Sequence, residues 1–475
     1  MKYISTRGGA QPAEFCDILI EGLASDGGLY VPESIPKIDI ATLNSWVGLS
    51  YPELAMEILP LYITDIPKED LSKIVNNTYN KSVFNSADIV PLKKFTYKGK
   101  ENFYLLGLSE GPTIAFKDLP MQLLGNLFEY VLTKRNTHVN ILGSTSGDTG
   151  SAAEYAFKGK KGVQVFMLSP YGRMSEFQKS QMYTLEDPNI NNLSVKGVFD
   201  ECQDIVKTIN GDLDFKKKHH IAAVNSINFA RIAAQIVYYF WAWCASAPRD
   251  GEKTNYQIDI TVPTGNFGNI LAAQIAKMMG LPLRNLIVAT NENNVLEDFF
   301  KSGVYKPRSP EQTYSTSSPS MDISKASNFE RFVYFLLDCN PEKLNEYWAK
   351  LSSDGSFDLS EYKDEIALRY AFKAGMSSHQ DRIATIKGFY EQTAYTLDPH
   401  TADGVKVASE FMDTDTPMFV AETALAAKFG PTIAEALGKP AAIPERFADL
   451  LDKKRHDIVM DNSVDAVKEY IASHA

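Results

Sequence analysis

Between residues 100 and 290 the chain repeats one pattern: a short apolar run, a polar loop, then a helical stretch. The runs are FYLLGL (103–108), VNIL (139–142), VQVFML (163–168), IAAV (221–224), QIDITV (257–262) and LIVA (286–289). Strands alternating with helices build a mostly parallel sheet, because each crossover helix returns the chain to the same end and covers a face on the way. The expected fold is α/β, with open, mostly parallel sheets covered by helices in two lobes. The opening stretch differs. It is helix-rich with Pro and Gly breaks, as in GLASDGGLYVPESIP (22–36), and predicts a small helical N-terminal domain without chemistry of its own. The division that follows is 1–92 for this domain, 93–240 for the first α/β lobe and 241–475 for the second. A helical and loop insertion is expected at about 295–395 of the second lobe.

Three strands run out into polar loops that lead into helices: GSTSGDTG, NSIN and PTGNFGN. Open α/β sheets bind ligands at the carboxyl ends of their strands, so three such loops outline a site. The Ser/Pro-rich segment 301–327, KSGVYKPRSPEQTYSTSSPSMDISKAS, reads either as a linker or as a loop over that site.

Composition narrows the partners. A net charge of −11 argues against nucleic acid, whose binding surfaces are basic. The start, MKYISTRGGAQPAEF, has no apolar core of a secretory signal. The most apolar stretch, IAAQIVYYFWAWCASA (232–247), carries Gln235 and falls short of the ~20 residues that span a bilayer; a buried helix and no membrane partner are expected. Cys16, Cys202, Cys244 and Cys339 lie far apart, as free buried thiols in a reducing cytoplasm would. The histidines make no HExxH, and no metal site is expected.

Within GPTIAFKDLP (111–120), Lys117 stands in an unusual place. The sequence after it has apolar residues at Leu119, Leu123, Leu124, Leu127, Phe128, Val131 and Leu132, the spacing of a helix with one buried face. Asp118 suits the N-cap and Pro120 the first turn. A cation just before the positive end of a helix dipole, among apolar neighbours, is disfavoured, so its pKa falls and more of it is free amine. A lysine that snorkels to the surface is the alternative. A depressed amine is what covalent bonding to an aldehyde requires.

In QIDITVPTGNFGNILAAQIAKMMG, Gly265 and Gly268 let successive N–H groups converge, and a helix beginning near Asn269 adds its own. This is an anion nest, or else an ordinary Gly-rich turn; it is neither a P-loop nor GxGxxG. Together, Lys117 and the nest point to pyridoxal phosphate, the lysine at the aldehyde and the nest at the phosphate.

Several motifs in order now carry a resemblance over nearly the whole chain: GLASDGGLYVPE, GPTIAFKD, GSTSGDTGSAA, NSINFARIAAQ, PTGNFGNILAA, SPSMDISKASNFER and DPHTADGV. The chain resembles the threonine synthases, within the fold-type II (tryptophan-synthase-β-like) pyridoxal phosphate enzymes. The resemblance implies a cytoplasmic lyase of threonine biosynthesis. It would turn O-phospho-L-homoserine and water into L-threonine and phosphate by γ-elimination and β-addition, as a monomer or homodimer. Lys117 would be the Schiff-base lysine and proton shuttle. Gly265, Asn266, Phe267, Gly268 and Asn269 would hold the cofactor phosphate, and Thr423 the pyridine nitrogen. Ser144, Thr145 and Ser146 would take the substrate carboxylate, with a helix start near Ser151, while Asp148 orients that loop or meets the amine. Asn225, Ser226, Asn228 and Arg231 would take the leaving phosphate. After Thr423 the chain reads TALAAKF where the family pattern is TAHPAKF, so Leu425 and Ala426 replace His and Pro. A phospho-lyase that stops at elimination, or a serine/threonine dehydratase, is the alternative on the same scaffold.

Overall fold

A computed structural model describes residues 1–222, 226–248 and 255–475. Two open sheets carry the architecture. The larger has six strands in the order Phe372–Met376, Leu283–Thr290, Ile258–Pro263, Met418–Glu422, Lys100–Gly107 and Leu92–Tyr97. All its neighbours are parallel except the Leu92–Tyr97/Lys100–Gly107 hairpin. The smaller is wholly parallel: Ile458–Met460, Ile190–Val195, Val163–Pro170, Val139–Ser144 and Ile221–Ala222. Parallel strands with both faces covered are buried throughout, as Ile258–Pro263 is at every position.

The six apolar runs read from sequence all lie in these sheets, although residues 223 and 224 of IAAV fall outside the described chain. Sheet membership crosses the boundaries drawn at 93 and 241. The hairpin Leu92–Gly107 belongs to the sheet of the second lobe, and Ile458–Met460 joins that of the first. The N-terminal region holds the expected helices, among them Tyr51–Tyr62 and Lys68–Thr78, plus a short antiparallel pair, Tyr3–Ser5 with Tyr30–Pro32.

The apolar stretch is the helix Phe229–Ser246, buried at every residue from Phe229 to Cys244. A helix apolar on all faces must be surrounded. Tyr51–Tyr62, Asp118–Arg135 and Gly268–Met279 pack around it, with Trp46 edge-on to Phe240 and Tyr51 edge-on to Trp241. Among the described residues, no helix is long and apolar enough to cross a membrane. The expectation of buried thiols holds for Cys202 and partly for Cys16, but Cys339 is exposed, in a left-handed turn beyond the helix Phe329–Leu336.

Candidate active site

A cavity of 660 Å³ opens between the sheets, at the carboxyl ends of their strands. That volume suits a small molecule with a cofactor. Lys117, Ser144–Ser146, Asp148, Thr149, Gly265–Asn269 and Thr423 line it from four strand ends, and Ser226, Arg231 and Gln235 from the head of the central helix.

Lys117 has helical backbone angles immediately before the helix Asp118–Arg135. Burial pushes its amine down to about 8; Arg231 and Lys428 push the same way, while Asp148 pulls it up. The expected cap, Asp118, is a correction. It is the first helical residue, and its carboxylate turns back into the GPT turn, accepting from the Thr113 N–H at 2.8 Å and the Thr113 hydroxyl at 2.6 Å. The first N–H groups of the helix already donate to backbone, Asp118 to Ala115 O at 3.0 Å and Leu119 to Phe116 O at 3.2 Å, which frees the carboxylate for the turn. A Cβ on Gly111 would lie 2.3 Å from Asp118 Cβ, so only glycine fits there. Phe116 N–H donates to Thr423 O at 2.9 Å beside an Ala115–Ala424 bridge, fixing lysine and threonine to one another.

In the nest, Phe267 takes a left-handed φ of 63°, and its ring packs with Phe300, Phe329 and Phe332, so it serves the cavity through its backbone. No acceptor among the described residues takes the N–H of Gly265, Asn266 or Phe267. The helix starts at Gly268, one residue before the expected Asn269. Asn269 Oδ1 accepts from the hydroxyls of Tyr238 and Tyr239, which leaves Nδ2 as its free end, without a partner. Among the described residues, Arg231 Nη1 and Thr423 Oγ1 are likewise buried without partners.

The segment 301–327 lies over the cavity, with Ser315 and 319–323 lining it. Its approach to the nest is close: a Cβ on Gly265 would sit 3.0 Å from Ser320 O. Ser320 Oγ donates to Asp148 at 3.0 Å, and Ser320 N–H donates to His400 Nε2 at 3.1 Å.

Family models described as "Threonine synthase N terminus" and "Threonine synthase, C-terminal" match residues 2–79 and 401–471. A threonine synthase of Methylobacillus glycogenes is 51% identical over 483 residues, covering 100% of each chain. This chain belongs to the threonine synthase family. The threonine synthase of Corynebacterium glutamicum is 50% identical over 99% of this chain and 98% of its own. The crystal structure of a PLP-bound threonine synthase from Brucella melitensis superposes with a TM-score of 0.94 at 40% identity, covering 100% of this chain and 99% of that one. The scaffold is that of the fold-type II enzymes.

In this member of the threonine synthase family, the residues named from sequence gather unequally. Lys117, Gly265–Asn269, Thr423, Ser144, Thr145, Ser146, Asp148, Ser226 and Arg231 all line the cavity. Thr145 spends its hydroxyl oxygen on the N–H groups of Gly147 and Gly150, both at 2.9 Å, and so shapes its own loop. The helix after that loop starts at Asp148, not near Ser151. Asp148 meets Lys428, Gln178 and Ser320. Asn228 does not line the cavity. It caps the central helix through Ala230 N–H at 3.0 Å and donates to Leu19 O at 2.9 Å. Asn225 lies outside the described residues.

Leu425 and Ala426, which depart from the family pattern, do not line the cavity either; Leu425 packs with Ile114, Phe177, Phe447 and Leu450. Lys428 was given no role from sequence, yet its Nζ donates to Thr113 O at 3.0 Å and pairs with Asp148 at 2.7 Å. A lysine in the apolar stretch TALAAKF was its only signal.

Proposed function

We propose that this chain converts O-phospho-L-homoserine and water into L-threonine and phosphate, with pyridoxal phosphate as its cofactor. One observation carries the reading: a depressed amine, a partnerless hydroxyl, a nest of N–H donors and a partnerless guanidinium N–H share one cavity.

The residues present fit that cofactor. Lys117 would hold its aldehyde carbon, the N–H groups of 265–269 its phosphate, and Thr423 Oγ1 its ring nitrogen. The orphaned hydroxyl of Thr423 supports the last of these, because a buried hydroxyl without a partner is costly unless a ligand completes it. When bound, pyridoxal phosphate supplies an electron sink for charge developing beside the substrate's α-carbon.

The chain's own residues divide the rest. Lys117 takes protons from the α- and β-carbons and returns them. With a pKa of about 8, roughly a tenth of the amine is neutral at pH 7, so it works as base and as acid. Among the described residues the hydroxyls of Ser144 and Ser146 carry no protein hydrogen bond, although the Ser144 backbone sits in the sheet, which leaves both hydroxyls for the substrate carboxylate. Arg231 and Ser226 hold the phosphate through its departure, the arginine by its planar fork. The segment over the cavity limits water to the molecule that adds at the β-carbon.

The test is product analysis. Purified chain loaded with cofactor and given O-phosphohomoserine should release phosphate and threonine in equal amounts. Appearance of 2-oxobutyrate in place of threonine would assign it instead to the lyases that stop at elimination.

A further inference from the structure

Two residues of SPSMDISKASNFER stay outside the cavity, yet hold two of its loops. Arg331 is fully buried. Its Nε donates to Tyr30 O at 2.9 Å, Nη1 to Asn328 Oδ1 at 2.6 Å and Nη2 to Ile227 O at 2.6 Å. Asn328 Nδ2 then donates to Ser226 O at 3.1 Å and Asn266 O at 3.2 Å, and its backbone N–H reaches Asn266 O at 3.1 Å. One arginine and one asparagine thus tie the N-terminal domain, the loop ahead of Arg231 and the nest into a single network.

The charge in this network faces the Phe229 ring, 5.7 Å from its centre, rather than an anion. Among the described residues no carboxylate forms an ion pair with Arg331. The adjacent Glu330 is taken by Arg7 at 3.1 Å and by the Thr6 hydroxyl at 2.6 Å. A buried cation whose donors go only to neutral acceptors is expensive. Such an arrangement makes sense beside a site that anions occupy.

Direction matters as much as charge. In a trans peptide the C=O and the following N–H point opposite ways. Drawing Asn266 O toward Asn328 therefore turns Phe267 N–H away from Asn328, on a residue that lines the cavity. Drawing the carbonyls of Ser226 and Ile227 toward Asn328 and Arg331 also removes two oxygens that would repel an anion.

We propose that Asn328 and Arg331 are positioning residues for both anion sites, orienting the nest at 265–269 and the turn and helix start at 226–231 and lending them the field of a cation that no carboxylate neutralises directly. This inference rests on the reading above, in which those loops hold phosphate groups. Neither residue touches a reacting atom.

The test measures binding on the cofactor-loaded full chain: inorganic phosphate by titration calorimetry, and pyridoxal phosphate retention during dialysis. Arg331→Met should weaken phosphate binding about tenfold, the scale of a lost interaction with a charged group, and speed cofactor loss. Asn328→Asp should do the same, because its carboxylate would neutralise Arg331 and remove a donor from two carbonyls. Arg331→Lys should fall between these and the unaltered chain, keeping charge without the fork. Should Arg331→Met fail to fold, Asn328→Asp decides. The inference is overturned if either folded variant keeps both affinities within about twofold while Arg231→Met loses phosphate. If Arg231→Met also binds phosphate normally, the loop is no phosphate site and the functional reading falls too.

Discussion

Lys428 Nζ lies 2.7 Å from Asp148 Oδ1, and both side chains are buried. Although burial pushes the Asp148 carboxyl up, Lys428 and Lys117 hold it well below the usual range. Lys428 also lowers the Lys117 amine, which Asp148 raises. Replacing Lys428 with Met removes a lowering influence and leaves Asp148 uncompensated, so the Lys117 pKa should rise. Activity that needs the free amine should then shift its alkaline-rising limb to higher pH, by roughly one unit. The kcat profile from pH 6 to 10 checks this; an unmoved limb contradicts it.

The cofactor-free chain should be more stable with Met at position 117. The folded-state pKa of Lys117 is about 8, below the ordinary value of 10.5. A depressed base binds its proton less tightly when folded, so the charged amine opposes folding at pH 7 and ceases to do so above both values. The gain from Lys117→Met should reach at most about 3 kcal/mol below pH 8 and fade as the pH climbs toward 10.5. Thermal melts at pH 7 and pH 10 measure it, and activity should vanish in the same protein.

Thr423→Val separates stability from function. Since Thr423 Oγ1 has no partner among the described residues, its removal should leave the cofactor-free melting temperature unchanged or raised. Affinity for pyridoxal phosphate should nevertheless drop about tenfold. A destabilised chain with normal affinity would point to a purely structural hydroxyl.

Arg231→Met should cost about hundredfold in kcat/KM for the phosphorylated substrate, with the cofactor's visible spectrum retained. Burial pushes this guanidinium down to about 10, and its Nη1 has no partner among the described residues, so its charge is poised for an anion. A loss under about threefold would remove Arg231 from the phosphate site.

Much of this was legible in the sequence where burial and residue type agree. Parallel strands are buried on both faces and show as apolar runs, and the lysine and glycine loops carry their chemistry in their spelling. The strand Ile190–Val195 was not legible, because INNLSV contains two asparagines. In the fold they satisfy backbone carbonyls, Asn191 at Val165 O and Asn192 at Met182 O, both at 3.1 Å. Asn228 misled for a related reason: helix caps and ligand contacts favour the same side chains. Lys428, Asn328 and Arg331 act through partners distant in sequence, Asp148 and Thr113 for the first, Tyr30 and Asn266 for the others. No local pattern reveals such pairings.

The exchange of strands between the sheets also sets an order of completion. Ile458–Met460 pairs with Leu193–Val195, and Val467 and Ile471 of the helix Val464–His474 share one buried cluster with Leu193 and Cys202. During synthesis that edge of the smaller sheet stays unpaired until residues 458–460, far later in the chain, have been made. Removing that strand would expose a backbone edge open to pairing with another molecule, so residues 458–460 guard against aggregation as well as extending the sheet.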